Sequence, residues 1–463
     1  MKKPILSLTL AASLAIGAVS VQAAVNQEPA AKAAQHFQDP FEKKILKAIS
    51  AENIYENIDY LSKVPRVAGT DSEAKAVQFI KEEFESYGYK ADVQPFTFYG
   101  YTPPSSISLS VDGYGGELKP QAFTYSVSGN VSGELASAGL GKKDELSSLD
   151  LNGKIALIKR GEISFAEKVL NAAEKGAAGV IIYNNSEGAL SGTLGEHNDK
   201  FVPSAALSKA EGEALLSHIG KTVSLSIVGA ETGEKTSHNV IAVKKPTGKK
   251  SEANDIIVLG AHHDSVAGAP GANDDASGTA MTLELARVLK NVPADTEIRF
   301  VTFGAEEVGL LGSEHYVSML SDDEISRTVA NFNLDMVGSR DAGDLVMLTL
   351  DGKPNLVTDL AQKSSGKLNG EPTPYGQGGR SDHVPFAEAG IPAALFIHSP
   401  SEPWYHTPED SIDKISKEKL QDTAEIVGTA IYDRARLDQI GPKPKKAPKV
   451  KAPDELKTEE NIK

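Results

Sequence analysis

From residue 239 onward, apolar runs of strand length alternate with stretches of helical periodicity, and few folds accept that pattern. The run Ile256-Ile257-Val258-Leu259 contains no polar residue. A strand with one solvated face would interrupt such a run, whereas a strand covered by helices on both faces calls for it. Strands are predicted at 239–244, 255–261, 297–303, 329–334, 345–349 and 393–396, and helices at 279–290, 311–320, 355–363 and 417–437. This order predicts an α/β fold built on a doubly wound, mostly parallel sheet.

The first part of the chain divides differently. Ile45, Ile49, Ile54, Ile58 and Leu61 recur at helical spacing, a loop follows at 65–70, and a second amphipathic helix spans 72–86 with Gly88 as its cap. Extended segments are expected at 91–99 and 106–111. Between 125 and 236 short β runs sit among Gly and Ser turns around one helix at 165–175, the texture of a small α/β insert. The principal domain is thus expected in two parts, 41–124 and 237–440, around an insert at 125–236.

Both ends read as accessory. Lys2 and Lys3, an apolar stretch from Pro4 to Val21 and the small-residue site ending at Ala23 predict a signal peptide at 1–23 and therefore a secreted protein without a stable membrane anchor. Residues 24–40 read as a leader or pro-segment, and the Pro- and Lys-rich 441–463 lacks the apolar content to fold, so a disordered tail is expected. The 463 residues carry a formal charge of -15, which excludes a broad basic surface for nucleic acid. Cysteine is absent, which excludes disulfides, zinc–thiolate sites and a cysteine nucleophile.

An open parallel sheet places its site beyond the C-terminal ends of its strands. Five polar clusters fall at such positions: His262-His263-Asp264, Asn273-Asp274-Asp275, Glu306-Glu307, Asp335, and Tyr405-His406. Taken singly each has an ordinary explanation, since buried histidines commonly satisfy core hydrogen bonds and acidic pairs commonly cap helices. Gathered at one sheet edge, they would repel unless cations neutralised them. Two histidines with three carboxylates suit zinc, with cobalt or manganese as substitutes.

The blocks GAHHDS, PGANDDASG, FGAEEVGLLGS, NLDMVG and WYHTPED resemble, in this order, those of the di-zinc aminopeptidases related to aminopeptidase Y and the streptomycete and vibrio leucyl aminopeptidases. The stretch from Gly153 to Asn185 resembles a protease-associated domain, and the whole likeness covers about residues 50–437. It is greatest toward the secreted bacillar aminopeptidases of broad leucine and basic-residue preference. The resemblance implies a zinc exopeptidase fold and two Zn2+ per chain. His262 and Asp335 would hold one ion, Glu307 and His406 the other, with Asp274 bridging. It further implies Glu306 as general base, Asp264 as the carboxylate that orients His262, and a cis peptide between Asp274 and Asp275. Tyr405 could donate a hydrogen bond to the oxyanion, and Asp410 could orient His406. His263, His36, His197 and His218 read as bystanders, and Asp382 and His383 as supports. The expected substrates are peptide or protein N-termini, and the expected state is a monomer. The same scaffold also resembles carboxypeptidases and glutaminyl cyclases, but Arg380 is the sole evident cation near the site for a terminal carboxylate. Relatives that survive only as binding modules have lost ligands, whereas every ligand position is filled here.

Overall fold

The computed structural model describes residues 39–437 except 196 and 248–254. The expected signal peptide, the tail, His36 and nearly all of the leader lie outside the described residues. Two sheets organise the chain. The larger has eight strands in the order Ala91–Thr102, Glu231–Lys244, Glu297–Phe303, Ile256–His262, Thr328–Leu334, Ala393–Ser399, Asp344–Thr349 and Tyr375–Gln377. Its four central strands, from Glu297–Phe303 to Ala393–Ser399, run parallel to one another. Antiparallel pairings join them to Glu231–Lys244 on one side and Asp344–Thr349 on the other.

The two innermost strands, Ile256–His262 and Thr328–Leu334, are buried along their whole length, which is why Ile256-Ile257-Val258-Leu259 could be written without a polar residue. Helix Ala276–Leu289 is almost wholly buried against them, and Lys417–Ala435 packs beside it in the same core. Among the described residues, no helix is long and apolar enough to cross a membrane.

Three expectations need correction. The apolar series from Ile45 to Leu61 forms two helices, Pro40–Ala48 and Ala51–Leu61. Ser50 breaks it, because its side chain caps the second helix and its amide donates to Glu284 Oε1. The strand predicted at 255–261 runs from Ile256 to His262, so the first site histidine belongs to the strand itself. The insert boundaries at 125 and 236 cut both sheets. The smaller sheet takes Ser106–Val111 and Gln121–Ala122 from upstream of 125, while Glu231–Lys244 belongs to the larger sheet. The physical reason lies in pairing: Ser106–Val111 lies antiparallel along Thr222–Val228, and Ala91–Thr102 lies antiparallel along Glu231–Lys244. The latter ribbon carries the chain out to the insert and back.

Candidate metal centre

The parallel register delivers the site. His262 pairs with Phe303 at the ends of adjacent strands, and Asp335 directly follows Leu334 on the next one. Glu306 and Glu307 stand in the turn after Phe303, where Ala305 takes a left-handed backbone (φ 56) that swings the chain back over the strand ends. Asp274 comes from the loop before Ala276–Leu289, and the Asp274–Asp275 peptide is cis, as the resemblance implies. His406 arrives on the late loop, also left-handed at φ 58.

These side chains meet. Asp274 Oδ1 lies 3.1 Å from His262 Nε2 and Asp274 Oδ2 lies 3.1 Å from His406 Nε2. Glu307 Oε2 is 3.0 Å from His406 Nε2, and Asp335 Oδ1 is 3.7 Å from His262 Nε2. Glu306 Oε2 stands 4.0 Å from the same imidazole nitrogen. Two triads bring their ligand atoms within 4.8 Å of one another: His262 with Asp274 and Glu307, and His262 with Glu306 and Asp335. The triads therefore group Glu306 with Asp335, while the shorter contacts pair His406 with Glu307, the pairing the resemblance implies.

Neighbouring groups hold the main chain in place. Asp264 accepts the amides of Glu306 and Glu307 at 3.1 and 3.2 Å, and its Oδ1 is 3.6 Å from His262 Nδ1. Asp275 accepts from the amides of His262, Gly278 and Met336, binding three ligand-bearing segments to one carboxylate. Asp410, expected beside His406, accepts the amides of Asn273 and Asp274 at 2.8 and 3.1 Å. The Asn273 side chain accepts from Gly338 and Ser339 and donates to Glu402. Ser381 donates to Asp335 Oδ2 at 2.7 Å.

Electrostatics give the cluster its character. Burial would lower the His262 imidazole, but Glu306, Asp264, Asp274 and Asp335 outweigh it and raise it well above its ordinary value. The His406 imidazole is pushed up to about 10 by Asp274 and Glu307 against the opposing effect of burial. Burial raises Glu307 to about 7, and it raises Glu306 well above the carboxylate range. Asp274 goes the other way, because its two imidazole contacts overcome burial. The donor set thus favours added positive charge. His262 Nε2, Glu307 Oε1 and Asp335 Oδ1 are buried without a hydrogen-bond partner, as ligand atoms awaiting a cation would be. The donor chemistry and these orphaned atoms fit zinc.

Tyr405 stacks on His406 with ring centroids 3.8 Å apart, and burial raises its hydroxyl, with Asp274 and Glu307 adding to the effect. Of the bystanders, His263 is buried against Thr302, and His197 and His218 lie in the insert beside Asp199 and Ser217. Asp382 and His383 are buried, and His383 Nε2 contacts the Gly378 carbonyl at 2.9 Å. Sequence reading missed Asn273, Asp275 and Arg66 as organisers. For Asp275 a signal existed, since an Asp directly before a helix start is a preferred cap. Arg66 sits in a loop with no local mark of burial.

A doubly wound sheet with an acidic, imidazole-bearing pocket at its strand ends is the arrangement of a metal-dependent hydrolase. The chain belongs to peptidase family M28, hydrolases acting on peptide bonds; the family model matches residues 239–431, and that of the PA domain matches 127–215. It is 42% identical over 417 residues to aminopeptidase YwaD of Bacillus subtilis strain 168, covering 87% of this chain and 89% of that one. To leucine aminopeptidase 2 of Trichophyton equinum the identity is 32% over 422 residues, with 85% and 80% covered. Among solved structures, an aminopeptidase from Aneurinibacillus sp. strain AM-1 is 54% identical with a TM-score of 0.77, covering 88% of this chain and 100% of that one. BSAP, a zinc aminopeptidase from Bacillus subtilis, is 42% identical with a TM-score of 0.72, covering 84% and 96%.

Proposed function

We propose that the chain is a secreted, monomeric zinc aminopeptidase that holds two zinc ions and removes N-terminal residues, leucine and basic residues among them, from peptides and proteins. The observation that carries the reading is Asp274, whose two oxygens each lie 3.1 Å from a different imidazole. One carboxylate thereby addresses two sites at once. On this reading His262 and Asp335 hold one zinc, Glu307 and His406 the other, and Asp274 both. The aminopeptidase names of the bacillar and Trichophyton relatives support it, as does the naming of BSAP as a zinc aminopeptidase.

When bound, the zinc ions supply Lewis-acid polarisation of the scissile carbonyl and an acidified water. Glu306 moves the proton: its carboxylate takes it from the attacking water and returns it to the leaving amine. Its Oε2 stands 4.0 Å from His262 Nε2, at the edge of the proposed ligand set. Tyr405, its ring fixed on His406, donates a hydrogen bond to the developing oxyanion. An acidic pocket favours a protonated α-amino group over a terminal carboxylate, and Arg380, the cation a carboxypeptidase would use, is exposed.

The test is Glu306→Gln in the full chain, assayed on a leucyl anilide beside its N-acetylated form. Turnover is expected to fall by about 10²–10⁴-fold while zinc content by elemental analysis stays at two per chain. Retained turnover would remove Glu306 from this role. Equal wild-type rates on free and acetylated substrate would sink the aminopeptidase reading.

A further inference from the structure

Behind the acidic cluster sits a cation that the proposed chemistry does not use. Arg66 lies in the loop between Ala51–Leu61 and Asp71–Ser86 and is 1% exposed. Its Nε donates to His263 O at 2.7 Å, its Nη1 to Leu61 O at 3.0 Å and Pro270 O at 2.7 Å, and its Nη2 to Gly271 O at 2.9 Å. All four acceptors are main-chain carbonyls. The main chain of Arg66 is tied to the same region, its amide donating to Ser265 Oγ and its carbonyl accepting from the Ser265 amide.

The placement of those carbonyls matters. His263 and Ser265 follow His262 within three residues, and Pro270-Gly271 opens the loop that ends at Asp274. A single planar side chain therefore spans the two loops whose ligands must meet. Gly271 makes room for it. At φ +63 its hydrogen takes the place of a Cβ that would stand 2.4 Å from Asp274 O and 3.0 Å from Arg66 Nη2.

The choice of acceptors matters as well. A guanidinium paired with a carboxylate takes up that carboxylate's lone pairs. Here the hydrogen bonds of the fork end on carbonyls, so Asp264, Asp275 and Asp410 keep their oxygens for the amides they hold, and Asp274 keeps both of its own facing His262 and His406. Lysine would keep the charge but not the fork, because its donors leave from one nitrogen.

We propose that Arg66 is a positioning residue for the metal pair, setting the separation of His262 and Asp274 through the carbonyls of His263, Pro270 and Gly271 while leaving the oxygens of the neighbouring carboxylates to the amides and imidazoles they face. The proposal rests on the zinc reading above. Its test uses full-length Arg66→Lys and Arg66→Met, stripped of metal and titrated with zinc and with cobalt, with circular dichroism and melting of the metal-free proteins alongside. Expected are folded variants, a changed cobalt absorption spectrum, and zinc affinity reduced at least tenfold in Arg66→Lys and further in Arg66→Met. At saturating zinc, kcat should fall more than KM changes. A folded variant with wild-type zinc affinity and an unchanged cobalt spectrum would overturn the proposal, even if it melts lower, because that is how a purely architectural residue behaves. Should neither variant fold, Ser265→Ala, which removes the acceptor of the Arg66 amide together with that hydroxyl's own hydrogen bond to Ala269 O, decides by the same readouts, with wild-type zinc affinity again overturning it. Failure of the zinc reading looks different: the wild-type protein would itself show no saturable zinc or cobalt binding, and the Arg66 proposal would fall with it.

Discussion

At the scale of single residues, several ionisable groups around the site follow one division of labour. Asp264, Asp275 and Asp410 hold amides, Arg66 holds carbonyls, and Lys419 likewise spends its ammonium on the carbonyls of Ser339, Ala342 and Gly343. His398 stands outside that scheme. It is 3% exposed, its Nδ1 has no hydrogen-bond partner, and burial, with Lys419 adding, pushes its imidazole down to about 4. Unfolded, it would titrate near its ordinary value of 6.5. Between these values the unfolded chain holds a proton that the folded chain rejects. The stability due to neutral His398 is therefore complete above pH 6.5, declines as pH falls, and is gone once pH passes below the folded value. The span corresponds to on the order of 3 kcal/mol. Urea unfolding of metal-free wild type and His398→Gln at pH 7.5 and 5 should show the variant losing less stability on acidification than the parent. Parallel losses would remove His398 as a source of acid sensitivity.

At the scale of elements, the site depends on how closely one helix approaches the strand ends. Helix Leu311–Ser318 begins just after the Glu306-Glu307 turn, and Gly312 packs where a Cβ would stand 2.2 Å from Gly304 O and 2.6 Å from Asn239 Oδ1. Asn239 locks that contact, donating to Gly312 O at 2.8 Å and accepting from the Gly304 amide at 3.2 Å. Gly312→Ala must push the helix off the turn, at a cost of about 1–3 kcal/mol. Thermal melting should register that loss and the leucyl-anilide assay a lower kcat; a wild-type melting point would mean the helix can retreat freely. The same elements show why part of the fold was legible in sequence. Strands buried on both faces leave an unbroken apolar run, and their C-terminal ends place polar residues where a site must lie, so the five clusters could be found by position alone. Less could be read where tertiary contacts decide. Ser50 splits a continuous helical pattern because Glu284, distant in sequence, binds its amide. Asp322–Arg327, His383–Glu388 and Tyr375–Gln377 are too short to leave a periodic mark. Three of the four carbonyl partners of Arg66 lie about two hundred residues away, and no spacing encodes them.

At the scale of the whole molecule, the two sheets have separate cores. The larger buries Ile257, Leu259, Phe332 and Phe396 with the flanking helices, whereas the insert buries Ile158, Val180 and Ile182 in one cluster and Leu135, Leu157 and Ile181 in another. The Ala91–Thr102 and Glu231–Lys244 ribbon joins them. Every proposed zinc ligand belongs to the larger unit, coming from the ends of its strands or from loops that pack on them. Ligand bound only to the folded state stabilises by RT ln(1 + [L]/Kd), about 4 kcal/mol at a thousandfold excess over Kd. That gain attaches to the unit whose unfolding scatters the ligands. The insert has apolar clusters of its own to unfold, and its melting releases no ligand. Scanning calorimetry of zinc-loaded and chelator-treated protein should therefore show one transition lowered by chelation and another, due to the insert, left where it was. A single transition that moves as a whole would mean that the ribbon couples the two cores into one cooperative unit. A profile that chelation leaves untouched would mean that no metal stabilises the larger one.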